Sequence, residues 1–212
     1  AVHPSKSQMK AYKVPMSYNE IDAAGLQAVL DSYKDDSHQK IIAGFEERII
    51  MLSGAPQAVA LNSGTAALHL ALRLLNIGPG DTVLVSTFTY VASVSPILYC
   101  GATPVFIDAE RETWNMDPEL LEKALSELAG KGQRPKAIIV VHAYGMPARM
   151  DKIMPIAQKW EVPVIEDAAE AFGATMDQQW AGTLGAMGIY SFNNNKSITS
   201  FGGGALVTNN PQ

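Results

Sequence analysis

The chain has 212 residues, of which 47% are hydrophobic and 17% are charged, a balance that excludes a disordered chain. Its net charge of −5 argues against a general nucleic-acid-binding protein. Cys100 is the single cysteine, so an intrachain disulfide is excluded. The first ten residues lack an apolar signal-peptide core, and no run approaches 18 apolar residues. We therefore expect a cytoplasmic enzyme without a membrane segment.

Residues 1–16 are predicted to form an N-terminal arm, followed by one large domain over 17–212. The first helix of that domain begins at the capping-box spacing of Ser17 and Glu20. Its apolar residues have the spacing of a buried face: Leu26, Val29, Leu30 and Tyr33. The polar stretch 31–40 predicts a loop. A second helix is predicted to end at Gly54 and to bury one face: Phe45, Ile49 and Leu52.

Short apolar strands alternate with helices from residue 57 onward. Strands are predicted over 57–61, 82–86, 104–108, 137–142 and 162–167, and helices over 66–75, 90–99 and 151–160. Pro96 should bend or shorten the second of these helices. A further helix begins with Asp117 as its N-cap and Pro118 as its first residue. This alternation predicts an α/β domain with a mostly parallel sheet covered by helices on both faces.

Ligands in such folds bind at the carboxyl ends of the strands, and Ser63, Gly64 and Thr65 lie at the first of these ends. They join a predicted strand to a predicted helix, where free N–H groups and the helix dipole favour a phosphate. The two hydroxyl groups add donors, and the glycine allows a close approach. An ordinary N-cap remains the alternative. The segment has neither Walker nor GxGxxG spacing, which argues against nucleotide binding here.

Two carboxylates, Glu166 and Asp167, end the strand predicted over 162–167. Adjacent carboxylates at a buried strand end are unfavourable unless a cationic group pairs with them. Asp167 could therefore bind a metal ion, a ribose or a protonated ring nitrogen, or it could cap the next helix. A metal is the weaker option because the four histidines show no ligand spacing to it.

Lys196 is the only basic residue between 178 and 212 and lies among small polar residues. Removal from water favours the uncharged amine, which is a nucleophile suited to imine chemistry. A solvent-exposed loop lysine is the alternative.

Phe88 and Tyr90 follow another strand end and could cover a flat ring, or they could pack in the core. A phosphate site, a carboxylate, an amine and an aromatic ring at the strand ends of one sheet match the needs of pyridoxal phosphate.

Four segments carry a resemblance to a known family: SGTAALHLAL, FTYVASVSPILYCGATPVFID, VIEDAAEAFGA and YSFNNNKSITSFGGGALVT. In order and spacing they resemble the signature blocks of the DegT/StrS family of pyridoxal-phosphate-dependent sugar-nucleotide aminotransferases. The resemblance implies an aspartate-aminotransferase-like fold of type I, with active sites formed at a homodimer interface. The large domain, residues 17–212, would bind the cofactor.

The same resemblance assigns roles to residues of the candidate site. Lys196 corresponds to the catalytic Schiff-base lysine. Asp167 corresponds to the carboxylate that pairs with the pyridinium nitrogen, and Glu170 lies near the ring oxygen. The other positions correspond to the ring-stacking aromatic and the phosphate site: Tyr90, then Ser63, Gly64, Thr65 and Ser191. The implied reaction moves an amino group from an amino acid, usually glutamate, to a nucleotide-linked keto sugar in bacterial polysaccharide or surface-glycan biosynthesis.

The chain also departs from the family pattern. Members are nearly twice this length, so the small C-terminal domain is expected to be absent. Residues 33–41 replace a stretch that usually shapes the active site, and Asn194 and Phe201 stand where close relatives have smaller residues. Three alternatives remain. The first is a pyridoxal-phosphate-dependent sugar dehydratase, against which Lys196 argues because those relatives have histidine there. The second is a catalytically inactive fragment that acts as a regulatory or interaction partner, and the third is a dinucleotide-binding domain, against which the missing GxGxxG argues.

Overall fold

A computed structural model describes residues 23–34 and 37–210, which fall into two compact units divided between residues 41 and 42. The predicted arm and the predicted cap at Ser17 lie outside the described residues. Helix α1 (Ala23–Lys34) and helix α2 (His38–Ser53) come first. The loop predicted over 31–40 is wrong for most of its length, because its polar residues form helix ends. Asp31, for example, accepts hydrogen bonds from Gln27 and Lys34 along the surface of α1.

The burial predicted for these two helices is only partly right. In α1 the predicted apolar face is exposed, and the one buried residue is Ser32. Periodicity therefore predicts the helix correctly but not what covers it. In α2, Ile49 is buried and Phe45 packs edge-on against Phe192, whereas Leu52 is 41% exposed. The helix ends as predicted, since Gly54 adopts the left-handed backbone conformation (φ 74°) that favours glycine.

The second unit is built on a seven-stranded sheet. Its strands are β1 (Gln57–Leu61), β2 (Thr82–Ser86), β3 (Thr103–Ile107), β4 (Ala137–Val141), β5 (Val164–Asp167), β8 (Met187–Ser191) and β9 (Gly204–Thr208). A separate hairpin is formed by β6 (Thr175–Met176) and β7 (Gln179–Trp180). The sheet order is β1-β9-β8-β5-β4-β2-β3, and only β9 is antiparallel to its neighbours. The mostly parallel sheet is therefore confirmed.

The helices that follow β1 in this unit are α3 (Gly64–Leu74), α4 (Ser95–Tyr99), α5 (Pro118–Gly130) and α6 (Met150–Lys159). Asp117 caps α5 as predicted and accepts the N–H groups of Glu119 and Leu120. The helix predicted over 90–99 is shortened, as Pro96 predicted. Residues 91–93 form a 3₁₀ turn, and α4 starts afresh with Pro96 in its first turn, because proline has no N–H to continue a preceding helix.

Helices cover both faces of the sheet, which confirms the predicted architecture. In β4, Ile139 packs in the apolar layer with Leu68 and Leu72 of α3. Its neighbour Ile138 packs in the opposite layer, with Leu121 and Leu125 of α5 among its residues. Successive residues of a strand point to opposite faces, so a strand that is apolar throughout must be covered twice.

None of the helices over residues 23–34 and 37–210 is long and apolar enough to cross a membrane.

Candidate active site

A cavity of about 660 Å³ lies at the carboxyl ends of the parallel strands. It gathers the turn after β1, the segments that follow β2 and β4, and the loops that follow β5 and β8. The structure brings all eight predicted site residues to its walls: Ser63, Gly64, Thr65, Tyr90, Asp167, Glu170, Ser191 and Lys196. Their chemical roles stay predictions, but their common location is the one that the sheet rule requires.

The end of the cavity that could bind a phosphate, here called the phosphate-like end, is formed by the start of α3. Ser63 is an N-cap, and its hydroxyl accepts the N–H of Ala66 at 3.1 Å. The N–H groups of Gly64 and Thr65 lie in the first helical turn, where no intrahelical acceptor exists. A Cβ on Gly64 would lie 3.0 Å from the Cβ of Ser191, so glycine allows the end of β8 to approach the helix start. The N-cap and the anion site are therefore compatible, because they use different groups.

The glycine-rich segment after Lys196 has a structural reason beyond flexibility. Gly204 pairs with Leu61 on one side and with Ser191 on the other. A Cβ on Gly204 would lie 2.4 Å from the carbonyl carbon of Ser63. Only a residue without a side chain lets β9 pass behind the turn at the start of α3. Gly204 thus fixes the shape of the phosphate-like end of the cavity.

Asp167 reaches the cavity from the end of β5 and is 6% exposed. The Ser93 hydroxyl donates to its Oδ2 at 2.6 Å, and the Ala169 N–H donates to its Oδ1 at 3.2 Å. Burial raises the pKa of the Asp167 carboxyl, while these two hydrogen bonds partly offset the increase. The carboxyl group keeps acceptor capacity for a cationic partner in the cavity. Sequence reasoning missed Ser93, which had no signal beyond its place in the aromatic-rich segment.

Glu166 shows that the predicted need for a cationic partner is wrong for this residue. Its side chain is fully buried on the other face of β5. The carboxylate accepts the N–H groups of three loop residues, Gly182, Leu184 and Gly185, at 2.6–2.9 Å. A fourth hydrogen bond joins its Oε2 to Nε2 of His142 at 2.8 Å. Four hydrogen bonds satisfy the buried carboxylate without a cation.

Lys196 and Glu170 form the reactive end of the cavity. Lys196 Nζ lies 3.3 Å from Glu170 Oε1, and its side chain is 12% exposed, so the alternative of a solvent-exposed loop lysine is wrong. Tyr144 donates its backbone N–H to Glu170 Oε2 at 2.9 Å. Tyr90 and Tyr144 also line the cavity and are 74% and 81% exposed, so core packing does not explain either ring. Over residues 23–34 and 37–210, no three His, Cys, Asp or Glu side chains are arranged to hold a metal ion.

The α/β fold brings an amine, a buried carboxyl and a helix start into one cavity, the set of groups that a pyridoxal-phosphate site needs. Residues 17–212 match the DegT/DnrJ/EryC1/StrS aminotransferase family, and the chain belongs to that family. This confirms the resemblance seen in the four sequence segments.

Relatives of known name support the same assignment. EpsN of Bacillus subtilis (strain 168) is 51% identical over 169 residues, which cover 80% of this chain and 44% of EpsN. The GDP-perosamine synthase of Caulobacter vibrioides is 44% identical over 170 residues, which cover 80% of this chain and 44% of that enzyme. The PLP form of Spr1654 from Streptococcus pneumoniae superposes with a TM-score of 0.82 at 32% identity, covering 94% of this chain and 54% of that one. The chain thus spans less than half the length of these two curated relatives.

Proposed function

We propose that the chain is the cofactor-binding part of a pyridoxal-phosphate-dependent aminotransferase that transfers an amino group from an amino acid to a nucleotide-linked keto sugar. The observation that carries the proposal is the single cavity that holds Lys196, Asp167 and the start of α3 together. The GDP-perosamine synthase relative supports the class of substrate. We further propose glutamate as the donor, a homodimer as the working form and the bacterial cytoplasm as the site of action, in polysaccharide or surface-glycan biosynthesis.

The residues present fit pyridoxal phosphate. The phosphate group would be held by the N–H groups of Gly64 and Thr65 and by the Ser191 hydroxyl, which the missing Cβ of Gly64 allows to approach. Asp167 would hold the ring nitrogen, since its buried carboxyl has only Ser93 and Ala169 as hydrogen-bond donors among the described residues. Tyr90 would lie against the ring. When bound, the cofactor supplies an aldehyde for an amine and a ring that takes up electrons.

The chain's own groups supply proton handling and orientation. Among the described residues, Lys196 is the one amine in the cavity lining, so it would attach the cofactor and, when released, would carry a proton to and from a substrate carbon. Asp167 would favour a proton on the ring nitrogen of a bound cofactor, because a buried carboxylate gains most from a cationic neighbour. Glu170 fixes the amine of Lys196 at 3.3 Å and so sets its starting position.

A labelling experiment tests this function. Pyridoxal phosphate is added to the purified chain, the visible absorption of the lysine-bound cofactor is recorded, and borohydride reduction is followed by peptide mapping. We expect one labelled site, Lys196, and loss of the absorption when glutamate is added. Lys196→Ala should fold without taking the label, whereas Lys136→Ala, at a 44% exposed lysine, should behave as wild type. A folded wild-type chain without label at Lys196 would contradict the proposal and favour the inactive fragment.

A further inference from the structure

The turn that follows β4 is held from two sides by buried side chains. On one side is Asn115, which is 1% exposed. Its Oδ1 accepts the N–H of Ala143 at 2.9 Å, and its Nδ2 donates to the carbonyl of Met146 at 2.9 Å. One amide side chain thus satisfies a donor and an acceptor of the turn 143–146, and no other orientation of the amide does both.

The second support is His142, which is fully buried. Its Nδ1 accepts the N–H of Ala148 at 3.0 Å, so this nitrogen carries no proton. Its Nε2 therefore carries the proton and donates it to Glu166, 2.8 Å away. Glu166 is itself fixed by the three loop N–H groups described above. The imidazole thus joins Ala148, two residues after the turn, to a carboxylate that is itself held by three backbone N–H groups.

The residue at the centre of this turn has a strained backbone conformation. Tyr144 has φ 52° and ψ 26°, in the left-handed region that a bulky residue rarely adopts. Tyr144 is 81% exposed and its ring meets that of Phe88 with 6.0 Å between centroids, a contact too slight to impose the backbone conformation. The conformation aims the Tyr144 N–H at Glu170 Oε2, and Glu170 Oε1 faces Lys196 Nζ. Backbone strain of this kind persists where the surroundings impose it and is frequent at functional sites.

We infer that Asn115, His142 and Glu166 are positioning residues, which hold the turn 143–146 so that the Tyr144 N–H fixes Glu170 against Lys196. The inference rests on the proposed function of Lys196 and deepens it. None of the three side chains needs to touch the cofactor or the substrate for this role. Each acts through the backbone of the turn. Glu170 then links the turn to the amine of Lys196.

Asn115→Asp tests the support with little change in shape, because a carboxylate retains the acceptor for Ala143 and turns the donor facing Met146 into a second acceptor. We expect amide hydrogen exchange in a peptide covering Tyr144 to become about tenfold faster, as loss of one buried hydrogen bond predicts. We also expect the rate at which pyridoxal phosphate labels Lys196 to change severalfold. Asn76→Asp is the matched control, since Asn76 is exposed and lies outside the cavity lining.

A double-mutant cycle separates positioning from general structural damage. If the turn acts through Glu170, Asn115→Asp should change the labelling rate much less in a Glu170→Ala background than in wild type. Equal effects in both backgrounds, or unchanged exchange at Tyr144, would overturn the inference. Where Asn115→Asp does not fold, Asn115→Ser is measured in its place, with the same two readouts. Absence of label in wild type would contradict the proposed function itself and is distinguishable from either result.

Discussion

Glu166 and Asp167 are neighbours in β5, yet the fold gives their carboxyl groups opposite surroundings. Glu166 accepts four hydrogen bonds from fixed donors, whereas Asp167 receives two and opens into the cavity. Strand alternation is the cause, since successive side chains point to opposite faces of the sheet. One carboxylate therefore serves the structure and the other is available for a ligand.

The raised pKa of Asp167 predicts a pH-dependent effect on stability. Burial lifts the folded-state pKa above its ordinary value of 3.8, so the unfolded chain loses this proton at a lower pH than the folded chain. The ionised group therefore opposes folding increasingly as the pH rises from about 4 towards the folded-state pKa. Without cofactor, Asp167→Asn should melt at a higher temperature than wild type at pH 7. The gain should disappear below pH 4, where both states are protonated.

Thermal unfolding between pH 3 and pH 8 measures this difference. Asp177→Asn is the control, because that side chain is exposed and should change the melting temperature little at any pH. Added pyridoxal phosphate should stabilise wild type more than Asp167→Asn, because the variant lacks the anionic partner for the ring nitrogen. A variant that is less stable than wild type at pH 7 without cofactor would contradict the argument from burial.

Glu166→Gln should have the opposite effect on stability. A single amide oxygen can replace only one of the two carboxylate oxygens, each of which accepts two N–H groups. Two buried donors would then face an amide N–H₂ group, and we expect a loss of roughly 2–4 kcal/mol in the free energy of unfolding. Denaturant titration provides the measurement. Glu161→Gln, at a 79% exposed side chain, should change stability by less than about 0.5 kcal/mol.

At the scale of secondary-structure elements, Gly202, just before β9, and Gly204, its first residue, allow a graded experiment. A Cβ on Gly202 would meet no atom within 4 Å, whereas one on Gly204 would lie 2.4 Å from the backbone of Ser63. We expect Gly202→Ala to fold and to bind pyridoxal phosphate as wild type does. Gly204→Ala should lose about 3 kcal/mol or more of stability, because β9 must move away from the turn before α3.

Both variants are measured by denaturant unfolding and by cofactor titration. The pair is informative because the same chemical change is made two residues apart. If Gly204→Ala bound the cofactor with wild-type affinity, the glycine would not be shaping the phosphate-like end of the cavity.

The predictable part of the fold is the part set by local rules. Apolar strands between helices predicted the covered sheet, and Asp117 followed by Pro118 predicted the start of α5. The start of α3 was predictable in the same way from Ser63 and Gly64. The failures depend on contacts distant in sequence. Leu26 belongs to an apolar face with the expected helical spacing but is 55% exposed. Likewise, no local pattern shows that Glu166 will accept the N–H of Gly182, sixteen residues away.

The sequence predicted which residues line the candidate site more completely than it predicted which residues hold them in place. Asp167 ends β5, the turn at Ser63 follows β1 and Lys196 lies in the loop after β8, so the sheet brings them to the same edge. Ser93, Asn115 and His142 were missed because each has a hydrogen-bond partner 24 to 74 positions away in the chain. Spacing along one element cannot encode such partners.

At the scale of the whole molecule, one segment beside the cavity leaves an unusual amount of apolar surface exposed. It comprises residues 90–99, and four of its large side chains are more than half exposed: Tyr90, Val91, Leu98 and Tyr99. Scattered exposed apolar residues are common, but a cluster next to a site indicates a surface that another molecule covers. We expect that molecule to be a second copy of this chain, as the proposed homodimer requires.

Leu98→Asp tests the dimer, because full burial of a leucine contributes roughly 1.5–3 kcal/mol and a buried unpaired carboxylate would oppose association. Light scattering during gel filtration should give twice the chain mass for wild type and the single-chain mass for the variant at the same concentration. Leu120→Asp on α5, where the leucine is 38% exposed in a different part of the unit, should remain a dimer. A monomeric wild type, or a Leu98→Asp variant that stays dimeric, would mean that the segment around α4 is not the contact, and the exposure of Tyr90 would then need another partner.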